Sequence, residues 1–312
     1  MLMGRISRGP TFKALTIGVL LSLVYVALIF FLPDHSNSAH LDNLSSSQYK
    51  QALFLVSLPA ILVWLIAFYA AGRIRIYAHY LERGKTTVFP LVSLLAKGIF
   101  LLALSLPIAA ILNRFLNFFE GYSTDVYHAS IITTNYVNLI LPLFGFVLIY
   151  YSVRGITSKK KLDLKLTSAK LLVALYLVIG ILYSYETLRH FTSNNAGSNV
   201  YYLPTAVFIL TILLPYLYAW YIGLASAYDM LFYAKKTPGI IFKRSLYVIA
   251  SGLAVVIISF IAMQYFSTID PAYGHLEFNS REIMSALIKL ISGLGFYLMA
   301  RGANKLIRIE EV

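Results

Sequence analysis

A lysine inside an apolar run is the feature of this chain best placed to do chemistry. Lys289 falls about six residues into the stretch 283–304, which puts it roughly 9 Å deep in a helix rising 1.5 Å per residue. An ammonium at that depth costs free energy unless it snorkels to the surface or pairs. Asn135 and Asn138 lie at a similar depth in another apolar stretch. Glu186 and Gln264 stand near the ends of two more. Together these five residues read as a candidate polar pocket, with Glu186 as counter-ion to Lys289. The plainer reading has Lys289 snorkelling alone and the asparagines bonding neighbouring helices.

Other chemistry is poorly served. The six histidines are His35, His40, His79, His128, His190 and His275. No two stand at a helical ligand spacing, so haem or zinc within a helix bundle is not expected. The chain has no Cys, which removes disulfides, thiolate catalysis and Cys-ligated metal. Gly84-Lys85-Thr86 ends like a phosphate-binding loop, but His79 stands where that pattern needs glycine. No cofactor motif is present. The pairs Asp34/His35, Asp125/His128 and Asp270/His275 could supply acid–base groups to an enzyme, at irregular spacing.

These residues are positioned by unusually apolar elements. Of the 312 residues 59% are hydrophobic and only 12% charged, about half the charged share of a soluble domain. Mean hydropathy is +0.74. A soluble core could not hide this much apolar surface, whereas a bilayer solvates it directly. A spanning helix needs about 20 mostly apolar residues. Such runs lie at 14–32, 51–72, 90–112, 130–152, 170–188, 203–228, 246–266 and 283–304. The expected fold is all-α, a polytopic membrane bundle of about eight transmembrane helices, because lipid cannot satisfy exposed backbone groups. The first run is longer than the apolar part of a leader peptide and reads as a retained span.

Basic residues give direction. Arg5, Arg8 and Lys13 precede the first span. Arg73, Arg75, Arg83 and Lys85 follow the second, and Arg154, Lys159, Lys160, Lys161 and Lys165 follow the fourth. Lys235, Lys236, Lys243 and Arg244 follow the sixth, and Arg301, Lys305 and Arg308 end the eighth. The alternate connections hold only Lys50, Arg114, Arg189 and Arg281. This alternation places both termini in the cytoplasm. The formal charge of +13 then belongs to orientation and to anionic inner-leaflet lipid rather than to nucleic acid. Short loops without a soluble domain point to a cytoplasmic membrane.

An internal echo suggests duplication. Leu58-Pro59 followed by Trp64 and Ile66 recurs as Leu214-Pro215 followed by Trp220 and Ile222. Ala96, Gly98 and Ser105 match Ala250, Gly252 and Ser259, and Gly145-Phe146 matches Gly295-Phe296. The expectation is two parallel four-helix halves, 1–156 and 157–312, about an axis along the membrane normal. Pro59 and Pro215 are then candidate hinges, with ordinary packing kinks the plainer reading. Arg73 and Asp229 occupy equivalent positions and are a candidate pair between halves.

Transport through a permease-like bundle ranks first among the functions these features allow. A scaffold or subunit of a larger membrane assembly, hetero- or homo-oligomeric, ranks second. An enzyme acting on a lipid or another membrane-embedded substrate ranks third.

Overall fold

A computed structural model describes residues 9–32, 46–119, 124–157, 214–264 and 278–310. Among them are seven helices: α1 (Gly9–Phe31), α2 (Ser46–Arg83), α3 (Phe89–Phe119), α4 (Thr124–Thr157), α5 (Leu214–Lys236), α6 (Ile240–Gln264) and α7 (Phe278–Glu310). Six are long and apolar enough to cross a membrane, all but α5. The chain is therefore a multi-pass membrane protein. Of the eight expected spans, 170–188 lies outside the described residues, and α5 covers the second part of 203–228.

The helices outrun the apolar stretches that identify them. At 38 residues, α2 is about 57 Å long at 1.5 Å per residue, against a hydrocarbon thickness of about 30 Å. Its extension past Gly72 stays packed, with Ile74, Ile76, Ala78 and Leu81 all buried. The polar residues Arg73, Arg75 and His79 in that extension end the apolar run without ending the helix.

α2 to α7 form a closed ring. Each packs on the next in chain order, and α7 returns to α2. α1 lies outside, against α2 and α3. Two sharp turns close the pairs α2–α3 and α5–α6. In the first, Thr86 donates from its backbone N (3.1 Å) and its Oγ1 (3.0 Å) to the Leu81 carbonyl, capping α2. Lys85 there takes a left-handed φ of 52°, and Gly239 in the second turn has φ 86°. The sequence Gly84-Lys85-Thr86 thus serves as a helix C-cap. A side chain in that conformation costs roughly 1–2 kcal/mol, so Gly239→Val is expected to lower stability by about that much in a denaturation titration, while Lys85→Gly should not lower it.

Two glycine crossings set the tightest contacts. A Cβ on Gly98 (α3) would stand 2.8 Å from the Gly145 carbonyl oxygen of α4. A Cβ on Gly252 (α6) would stand 2.5 Å from the Gly295 carbonyl oxygen of α7. Small residues bring membrane helices this close, replacing side-chain packing by backbone contact. Around the crossings the core is apolar, with Phe68, Phe146 and Phe296 fully buried. Two buried serines are satisfied within their own helices: Ser105 Oγ donates to the Leu102 carbonyl and Ser259 Oγ to the Val255 carbonyl, both at 2.8 Å.

Candidate functional site

Where the six ring helices converge near their basic ends they leave a cavity of about 190 Å³. Every ring helix contributes to its wall. Most of the lining falls into pairs at constant sequence separations. Ile74 with Met230 and Tyr77 with Tyr233 are 156 apart. Val92 with Leu246 and Leu95 with Ile249 are 154 apart, and Val153 with Ala303 and Ile156 with Leu306 are 150 apart. Polar groups at the wall are confined to Tyr77, Tyr233, Thr86 and Thr157. A dry cavity of about 150 Å³ with an apolar lining takes a benzene-sized molecule, so this one suits an apolar group of similar or slightly larger size.

Polar contacts fasten the ring where α4 meets α5 and where α7 meets α2. Between α4 and α5, Arg154 Nε lies 2.8 Å from Asp229 Oδ2. The approach is an ion pair without the alignment of a hydrogen bond. The Arg154 guanidinium also sits 5.5 Å from the Tyr150 ring centre. Between α7 and α2, Arg73 Nε donates to Asn304 Oδ1, and Asn304 Nδ2 donates to Tyr69 Oη at 3.3 Å. The expected Arg73–Asp229 contact is thus replaced by two separate ones. Arg73 lies where α2 meets α7 and Asp229 where α5 meets α4, so the two do not face each other. Arg154 is exposed and Asp229 half-buried, at 46% and 20% of the two side chains, and pairs open to solvent on one side contribute about 0–1 kcal/mol. Arg154→Gln is accordingly expected to shift the unfolding midpoint only slightly, within that range.

No family model, curated protein or solved structure matches the chain.

The remaining expected site residues are less well covered. Asn135 and Asn138 lie on α4 and Gln264 closes α6, but their side chains, like all of Glu186, lie outside the described residues. Lys289 is half-buried on α7 and makes a contact of its own. The Asp/His pairs also lie outside what is described for side chains. Pro59 is interior to α2, whereas Pro215 is the second residue of α5, and the residues before Leu214 are not described. Trp64 is buried and packs edge-on against Tyr25 of α1, ring centres 5.3 Å apart. Trp220 is half-buried and stacks on Tyr216 at 6.5 Å.

The apolar cavity was the element that sequence reasoning missed. Its walls are ordinary Val, Leu, Ile and Ala on helices that are apolar all round, so no face announces itself. The one available signal was the echo between Val92-x2-Leu95 and Leu246-x2-Ile249, which continues the glycine match.

Proposed function

We propose that the chain is a permease-like carrier built of two parallel halves, 1–156 and 157–312, with its substrate site in the cavity between them. The observation that carries this reading is the paired lining: six lining residues of α2, α3 and α4 have counterparts on α5, α6 and α7 that line it too. Further correspondences support it. The Gly98–Gly145 and Gly252–Gly295 crossings obey the same separations. So do the two left-handed turn residues, Lys85 and Gly239, and the two seam contacts, in which Arg154 answers to Asn304 and Asp229 to Arg73. In this register Ser152, whose Oγ donates to the Leu91 carbonyl at 2.7 Å, answers to Gly302, which abuts the Ser245 carbonyl.

A site on an axis between two bodies changes shape when the bodies rock, which is the basis of alternating access in repeat-built transporters. The lining selects the apolar portion of a small amphipathic substrate, oriented by the Tyr77 and Tyr233 hydroxyls. The basic loops, by the positive-inside rule, put the cavity end and both termini in the cytoplasm.

Native mass spectrometry of protein extracted directly into lipid nanodiscs tests the site. A small molecule should co-purify with the native chain. It should be lost from Ile156→Trp, which fills the cavity, and kept by Tyr297→Trp on the exposed face of α7. Equal small-molecule content in all three proteins contradicts a substrate site there.

A further inference from the structure

A second cavity, of about 650 Å³, opens along the outside of the ring where α1 crosses α2 and α3. Two close contacts hold α1 in place. A Cβ on Gly18 would meet the Phe68 ring at 2.6 Å, and one on Gly72 would meet Thr11 Cα at 2.6 Å. Beside these contacts runs a groove with two unlike ends. Toward the basic end it is lined by Lys13, Arg75 and Lys97, one cation from each helix. About one helical turn deeper it is lined by Ile17, Leu101 and Leu148.

Among the described residues the charge in this groove is uncompensated, and no Asp or Glu of theirs lines it. Arg75 Nη1 donates to Ser93 Oγ, which fixes the guanidinium and leaves its charge in place. Lys13 and Lys97 have no ion-pair partner among the described residues and are exposed. The nearby Glu82 is held by His79 Nδ1 at 3.0 Å. Three cations around one cleft repel one another, and the repulsion grows as the local dielectric falls. An anion seated between them relieves it. An apolar channel leading away into the membrane requires that the anion carry an alkyl chain.

We propose that this groove binds one anionic phospholipid of the leaflet at the basic end of the bundle. The phosphate sits among Lys13, Arg75 and Lys97, and an acyl chain lies along Ile17, Leu101 and Leu148. Lys97 snorkels along α3 to reach the headgroup level. The inference is independent of the permease reading, since the groove lies outside the ring.

Titration of the full-length protein in detergent with palmitoyl-oleoyl-phosphatidylglycerol, followed by native mass spectrometry, tests this. One phosphatidylglycerol per chain is expected to bind in preference to phosphatidylcholine. At the usual contribution of a cation near an anionic headgroup, K13Q/R75Q/K97Q should bind it about 100-fold more weakly. K159Q/K160Q/K161Q, which removes the same charge from a loop, should bind it as the native chain does. Ile17→Trp keeps all three cations and blocks the apolar channel, and it should also lose the lipid, which guards against a misfolded charge variant. Equal binding of phosphatidylcholine, equal loss in the loop variant, retention by Ile17→Trp, or displacement by millimolar inorganic phosphate overturns the proposal.

Discussion

Gly252→Leu is expected to remove the peak of folded protein from size-exclusion chromatography. The position of its Cβ is already occupied on three sides: by the Gly295 carbonyl oxygen at 2.5 Å, the Met299 backbone N at 2.8 Å and the Met299 Cγ at 2.9 Å. Two of these are backbone atoms, which cannot rotate away. Ordinary overpacking costs about 1–3 kcal/mol. Here α6 and α7 must separate bodily, so about 3 kcal/mol or more is expected, a large share of a typical stability of about 5–15 kcal/mol. Gly98→Leu should behave alike, since its Cβ would meet Gly145 O at 2.8 Å and Ile149 Cγ1 at 2.7 Å. A Gly252→Leu protein that elutes as native and melts at the native temperature would show that the crossing is looser than drawn.

Phe146→Ala carries the second large effect, by the opposite mechanism. Phe146 on α4 is fully buried. Its ring meets Phe260 of α6 edge-on, centres 5.8 Å apart at 85°, and it reaches within 3.5 Å of where a Cβ on Gly223 of α5 would lie. One side chain therefore spans the seam between the first three ring helices and the last three. Truncating a buried phenylalanine costs about 3–5 kcal/mol through lost transfer energy and the cavity left behind. Because the void falls on the seam, the loss should appear as easier separation of α4 from α5. Measured by SDS titration, the unfolding midpoint should fall well below that of Arg154→Gln, which weakens only a partly exposed pair on the same seam. Equal midpoints for the two variants would place the strength of the seam elsewhere.

Much of the bundle was legible in the sequence, and for one physical reason. Lipid forces long unbroken apolar runs, so the existence and order of spans can be read from composition alone. Their ends cannot. α2 continues past its apolar run because Arg73, Arg75 and His79 interrupt hydropathy without interrupting helical geometry. The two tryptophans of the recurring motif, Trp64 and Trp220, differ in burial. The difference follows from α1, whose Tyr25 covers Trp64. Polar pairing was not legible. Sequence separation says nothing of contact, which depends on which helices share a seam. Arg73 met Asn304 and Asp229 met Arg154 for that reason. The cavity was hidden too, because helices that are apolar on every side carry no periodic signal for the face they turn inward.

A carrier whose site lies between two bodies must let those bodies move. The chain lacks Cys, so two spin labels can be placed without background, at Arg83→Cys on α2 and Lys235→Cys on α5, both exposed at the basic end. Double electron–electron resonance in nanodiscs should give two distance populations for this pair. Their ratio should shift when Ile156→Trp fills the cavity. A single narrow distance, unchanged by that substitution, would mean that the ring is rigid and that the cavity is a packing void rather than a substrate site.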